Sequence, residues 1–305
     1  PDPDVMGYNP CAEQSLAPFE TCCLAEIYLP NIESEKELKK VAVYLYRINK
    51  HSLSIRCAVK ETEHIVHRHM RMGIGVTGYL QATEEQRSWL ESCYIYLREY
   101  DRTYSRDAGF PTSIKLTTVK PSGTLSLLAG VTPGAHPGYS EYYIRRIRMS
   151  ADSELVSVCR NNGFRIEYVR NFDGTEDHST VVVEFPCKFP KGTKFAADMS
   201  AVDQLEVIKR LQAEWSDNSV SVTVYYRKEE LDEIKAWLRE NYVNVKSVSF
   251  LLHNDHGFDQ APLEEIDKKT YNKIKSQCTP ITSIHDINME DIDIQDCATG
   301  ACPVR

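Results

Sequence analysis

An amide, a thiol and a carboxylate recur at a spacing of two near the N-terminus, as Asn9, Cys11 and Glu13 in the stretch GYNPCAEQSL. Pro10 lacks a backbone donor and biases Asn9 away from the helical region, so the segment is expected to be extended or looped. In an extended segment alternate side chains share a face, which would point all three groups into one space. Such a set suits holding and deprotonating a hydroxyl-bearing ligand beside a reactive sulfur. The competing reading is a polar loop with an incidental cysteine, and the decapeptide alone does not choose between them.

A second candidate lies in IKLTTVKPSGTLSLLAG. An alternating strand from Ile114 to Val119 stops at Pro121, a Ser-Gly turn follows, and an apolar helical turn starts at Leu125. A strand–turn–helix junction aims free backbone donors outward, and here they are joined by hydroxyls. Pro121, Ser122, Gly123, Thr124, Leu125 and Ser126 therefore read as an anion cradle, against the simpler reading of a tight turn.

The ten cysteines do not form a secreted framework, since Cys57, Cys93 and Cys159 fall inside apolar periodic segments. A reducing, cytoplasmic setting is expected. No CxxC occurs, and the adjacent Cys22 and Cys23 point to opposite faces if extended, so no metal site is expected. Interest is left in Cys11, Cys22 and the terminal pair Cys297 and Cys302.

The elements that must position these residues follow from periodicity. CCLAEIYLPNI reads as a buried strand entering a turn, and SEKELKKVAVYLYRINKHSL as a helix capped by Ser34 with Glu37 at the capping-box position. A helix from Thr62 to Met72 ends in RMGIGVTGYLQ, where Gly73, Gly75 and Gly78 let backbone approach something closely. Glycines that follow a helix rather than a strand argue against dinucleotide binding. TEEQRSWLESCYIYLREYDRTYSRDAG is a further helix with Thr83 and Gln86 as its capping box. STVVVEFPC is a strand, residues 201–215 a helix, SVSVTVYY a strictly alternating strand, KEELDEIKAWLREN an amphipathic helix and VKSVSFLL a final strand. Alternating strands and helices predict an α/β architecture with a largely parallel sheet.

At 305 residues with 42% hydrophobic content the chain is long enough for a real core. A net charge of −8 gives no basic surface for a nucleic-acid polymer, although a local pocket can still hold a small phosphorylated ligand. No apolar run reaches membrane-span length, so no membrane partner is expected, and the start PDPDVMG reads as cut from a longer chain or processed.

Taken together and in order, NPCAEQSL, the cysteine eleven positions later, PSGTLSLLAG and a cysteine pair in the last nine residues resemble the C-terminal half of a ribonucleotide reductase catalytic chain. The likeness is greatest to class II, the adenosylcobalamin-dependent enzymes, of the monomeric ribonucleoside-triphosphate reductase type. It implies the second half of a ten-stranded α/β barrel over residues 1–285, with a finger loop at 5–20 and a flexible redox tail at 286–305. It further implies that Cys11 becomes a thiyl radical abstracting the 3′ hydrogen of a ribonucleoside triphosphate, that Glu13 accepts the 3′-hydroxyl proton, and that Asn9 holds the substrate. Cys22 matches one of two cysteines that supply electrons, Pro121 to Ser126 match the substrate-phosphate loop, and Cys297 with Cys302 match a tail dithiol reduced by thioredoxin or a similar dithiol. The partner of Cys22 belongs to the N-terminal half of the barrel, which is expected as a separate partner. Class I enzymes relay the radical through two tyrosines on the last barrel strand; Tyr225 and Tyr226 sit one strand early, and Ser249 and Phe250 stand near where a relay would be. The alternatives are a class I diphosphate-reductase relative, a non-catalytic nucleotide-binding partner subunit, and a cysteine-rich redox or metal-binding domain.

Overall fold

The computed structural model describes residues 2, 4–171, 173–253 and 260–282, and in chain order the elements are β1 (Gly7–Tyr8), β2 (Ser15–Leu16), β3 (Leu24–Tyr28), α1 (Glu35–Ser52), α2 (Lys60–His69), β4 (Gly73–Thr77), α3 (Glu84–Ala108), α4 (Leu125–Ala129), β5 (Tyr142–Ser150), α5 (Glu154–Asn161), β6 (Arg165–Arg170), β7 (Glu176–Lys188), α6 (Ala201–Glu214), β8 (Thr223–Tyr226), α7 (Leu231–Asn241), β9 (Ser249–Leu252), β10 (Leu263–Glu265) and α8 (Lys268–Gln277). They fall into two compact units, one of Pro1–Pro137 with Gly192–His253, the other of the described residues of Gly138–Lys191 and Asn254–Arg305. The tail cysteines Cys297 and Cys302 lie outside the described residues.

In the first unit β3 and β4 pair in parallel, as do β8 and β9. The segment expected to be a strand at 114–119 is extended but joins its neighbours only through isolated parallel bridges, Ile74 with Thr117 and Val119 with Val220. The bridges link five parallel rows in chain order: 24–28, 73–77, 117–119, 220–226 and 249–252. Ile27, Ile74, Val76, Leu116, Val119, Val220, Val222 and Val224 pack into one core with residues of α1, α3 and α6. The Trp215 indole N–H lies 3.1 Å from both the Ile74 and the Thr118 carbonyl oxygens, tying the second and third rows together where regular pairing lapses.

Ser34 caps α1 by accepting from the Glu37 N–H at 3.2 Å, while the Glu37 carboxylate accepts from the Glu33 N–H at 2.7 Å. Thr83 and Gln86 form the full reciprocal box at the start of α3. The helix expected over 62–72 ends earlier, because Met70 turns left-handed at φ 45° and Gly73 opens β4. A Cβ on Gly73 would lie 2.8 Å from both Leu24 and Thr118 side-chain carbons, so the close approach read from these glycines is to neighbouring rows.

The second unit corrects the largely parallel expectation. Its sheet is four-stranded and antiparallel in the order β10-β5-β7-β6, and β5, β6 and β10 were not expected from the sequence. Arg146 of β5 reaches Glu184 of β7 at 2.9 Å and pairs with Glu264 of β10, so charged side chains here are cross-strand partners.

Candidate active site

β1 and β2 form a two-stranded hairpin whose tip is residues 9–14, and the three residues singled out at a spacing of two all lie on it. The tip is a tight turn and not an extended strand. The Asn9 side-chain oxygen accepts from the Gln14 N–H at 3.0 Å, the Asn9 N–H donates to the Gln14 carbonyl at 3.1 Å, and Ala12 takes the left-handed φ of 58°. With that reversal, strict alternation does not set the side-chain directions. Asn9 and Glu13 are nevertheless buried and Cys11 is half-buried.

The tip is fastened by its own carbonyls to the third and fourth rows. The Thr118 hydroxyl donates to the Glu13 carbonyl at 2.7 Å, the Ser219 N–H donates to the same oxygen at 3.1 Å, and the Ser221 hydroxyl donates to the Cys11 carbonyl. Alternation in SVSVTVYY sends Val220, Val222 and Val224 into the core and leaves the Ser221 hydroxyl to meet the tip, whereas Ser219 meets it through its backbone N–H, its own hydroxyl pairing with Ser247 at 2.6 Å. Thr118, Ser219 and Ser221 were not singled out from the sequence, although the alternation was a visible signal for Ser221.

At its base the hairpin meets a buried ion cluster. Glu20 bonds the His69 ring at 3.0 Å and Arg71 Nε at 2.9 Å, and Arg71 also bonds Asp2 at 2.6 Å and the Ser15 hydroxyl at 3.3 Å. Cys22 and Cys23 separate as expected. Cys22 is exposed, whereas the Cys23 thiol turns toward the Asn49 carbonyl of α1 at 3.9 Å and burial pushes it up to about 11.

Residues 121–126 do form a turn leading into a helix, but α4 has only five residues and Thr124 provides no side-chain cap. Ser122 holds φ 56°, and both it and Ser126 are buried. The loop is gripped from two sides: Tyr28 donates to the Leu125 carbonyl at 3.1 Å, and a Cβ on Gly134 would lie 2.2 Å from the Lys120 carbonyl oxygen. Glu26, on the same face of β3 as Tyr28, has a side chain only 3% exposed and stands 3.6 Å from Lys120 Nζ. Burial raises the Glu26 carboxyl above its usual range, Lys120 and Ser122 draw it back, and Glu13 adds repulsion. One Glu13 oxygen, both Glu26 oxygens and the Ser122 hydroxyl are buried without a well-aligned hydrogen bond. Glu26 and Lys120 are further site residues that the sequence reading missed.

Residues 109–249 match the model of a family described as "Ribonucleotide reductase, barrel domain", and the chain is akin to the C-terminal part of a ribonucleotide reductase catalytic chain. Among solved structures it is similar to a B-12 dependent (class II) ribonucleotide reductase, with TM-score 0.77 and 30% identity over 92% of this chain and 43% of that one. Among curated relatives it is 33% identical to a probable adenosylcobalamin-dependent ribonucleoside-triphosphate reductase of Dictyostelium discoideum, over 99% of this chain and 41% of the relative. It is 32% identical to the adenosylcobalamin-dependent ribonucleoside-triphosphate reductase of Lactobacillus acidophilus, over 100% of this chain and 46% of that protein. The chain thus spans less than half the length of these relatives.

Proposed function

We propose that this chain is the substrate-holding C-terminal part of an adenosylcobalamin-dependent ribonucleoside-triphosphate reductase, acting with an N-terminal half of the same barrel. The observation that carries the reading is the hairpin tip: Glu13 is buried with one carboxylate oxygen lacking a protein partner, on backbone pinned by Thr118, Ser219 and Ser221. A pinned carboxylate with an unsatisfied oxygen is prepared for a ligand hydroxyl.

In this reading the Cys11 sulfur, as a thiyl radical, takes the 3′ hydrogen atom of the ribose and later returns it. Glu13 accepts the 3′-hydroxyl proton, and the Asn9 amide, whose oxygen closes the hairpin, offers its N–H₂ to the substrate. The 2′ hydroxyl leaves as water, and Cys22 with a second thiol from the N-terminal half gives up two electrons and closes a disulfide. Cys297 and Cys302 reduce that disulfide and are reduced in turn by thioredoxin or a similar dithiol. Residues 121–126 take the phosphates.

The radical source in this reading is adenosylcobalamin and not a tyrosine relay. The outermost row, β9, bears Ser249 and Phe250, and the adjacent tyrosines lie on β8, where Tyr226 packs edge-on to Phe250 at 6.1 Å. When bound, the cofactor supplies the radical that oxidises the thiol. The rows 24–28 and 249–252 each pair on one side only among the described residues, and such open edges favour a second segment covering them.

The test is deoxynucleotide formation from a ribonucleoside triphosphate with adenosylcobalamin and a dithiol, for the chain alone and mixed with an N-terminal half from a class II relative. Product in the mixture only, abolished by Cys11→Ala, is expected. A folded, nucleotide-binding mixture that makes no product would contradict the catalytic reading.

A further inference from the structure

Lys120 and Glu26 are the charged groups nearest the phosphate loop that the reaction described above leaves without a task. Lys120 stands immediately before Pro121, at the end of the third row, and its side chain is 16% exposed. Its stem lies over the β4 backbone, where a Cβ on Gly75 would sit 3.4 Å from Lys120 Cγ. The ammonium faces Glu26 at 3.6 Å, a separation at which the charges attract without a short hydrogen bond.

Glu26 is the more telling partner. Its carboxylate is almost wholly buried, and neither oxygen has a well-aligned hydrogen bond, Lys120 and Ser122 being the donors that stand by it. A buried carboxylate of this kind remains ionised only as far as its counter-charge allows. The groups facing it are Lys120 and Ser122 from the segment beside the loop, Glu13 from the hairpin tip and Tyr28 from its own strand. Lys120 is the one cation among them, and Glu13 works against it. Whatever draws Lys120 away leaves Glu26 beside Glu13 with no counter-charge among these groups and only the Ser122 hydroxyl to draw it back.

An oligophosphate in the adjoining loop would do so. We propose that Lys120 is a phosphate-contacting residue held in reserve by Glu26: when an oligophosphate enters residues 121–126, the Lys120 ammonium turns to it and the Glu26 carboxylate binds a proton from solvent. The inference rests on the phosphate-loop reading above and extends it to two residues and to a proton stoichiometry. The balance is simple, since one ion pair exchanges for another and one carboxylate becomes one carboxylic acid.

The experiment is calorimetric titration of the chain with inorganic tripolyphosphate at mildly acidic pH, in two buffers of different ionisation enthalpy, because Lys120, Glu26 and the loop all lie in one unit. The buffer dependence of the heat reports proton uptake. Binding with net uptake, lost in Glu26→Gln, is expected, and Lys120→Met should weaken binding roughly tenfold or more, as loss of a charge-assisted contact does. Because tripolyphosphate can itself shed a proton on binding, the proton count is read against Glu26→Gln, and an unsubstituted chain that takes up no more protons than that variant overturns the proposal and leaves the phosphate loop standing. No binding of tripolyphosphate overturns the loop reading and the proposal together. Uptake that persists in Glu26→Gln assigns the proton elsewhere and also overturns it.

Discussion

Two adjacent thiols, Cys22 and Cys23, differ in exposure. Cys22 is exposed, whereas Cys23 packs toward α1 with its thiol pushed up to about 11. Since the thiolate is the nucleophile, iodoacetamide at neutral pH should alkylate Cys22 and spare Cys23 in the folded chain, as read by peptide mass mapping. Equal labelling would contradict the placement. Glu20 makes a residue-scale prediction of another kind. It is the acceptor shared by His69 and Arg71 beneath the hairpin, and Arg71 is buried to the guanidinium. Glu20→Ala removes the one acceptor the two share, leaving Arg71 to Asp2 and Ser15 and His69 to Asp4, and urea unfolding should show a loss of about 2 kcal/mol. A loss below about 1 kcal/mol would place the cluster with exposed ion pairs.

At the scale of elements, the loop after α4 is joined to β8 by one imidazole. His136 Nδ1 lies 3.2 Å from the Pro133 carbonyl and its Nε2 accepts from the Thr223 N–H at 3.0 Å, which fixes the neutral Nδ1–H tautomer. Burial lowers its pKa from 6.5 to about 4. The folded value being the lower one, the contribution is intact above pH 6.5 and is lost as pH falls through that window toward about 4, amounting to roughly 3 kcal/mol. Unfolding free energies measured across the window should show this slope, reduced in His136→Asn; an unchanged slope would contradict it. The capped helices α1 and α3 were legible from Ser34, Thr83 and Gln86 because their signals are local, although the reciprocal box forms only at α3, Glu37 accepting from the Glu33 N–H instead. β5 was not, because YYIRRIRMS carries arginines whose partners are distant in sequence, as with Arg146 and Glu184. β4 was hidden for the opposite reason, being buried on both faces with glycine where a side chain would strike Leu24 and Thr118. The candidate site was legible in Asn9, Cys11 and Glu13, which do share one hairpin tip, though a positive φ at Ala12 replaced the extended geometry that first linked them. Glu26 stayed hidden because a lone acid in LAEIY has meaning only once Lys120 is brought beside it.

For the molecule as a whole, five parallel rows with helices behind them carry every proposed substrate contact of this chain in one unit, while an antiparallel sheet builds the other. No helix among the described residues is long and apolar enough to cross a membrane. The outer rows 24–28 and 249–252 have one neighbour each among the described residues, and the chain matches less than half of its relatives' length; both support the proposal that it acts in an assembly with an N-terminal half. Within that assembly the central claim is that Glu13, fixed at the hairpin tip, takes the proton of the substrate hydroxyl. The most direct test is Glu13→Gln in the reconstituted mixture, with nucleotide affinity and turnover measured separately. The account predicts turnover lowered by roughly 10²-fold or more, as for loss of a general base, with affinity nearly unchanged. Turnover retained at the unsubstituted rate would contradict it.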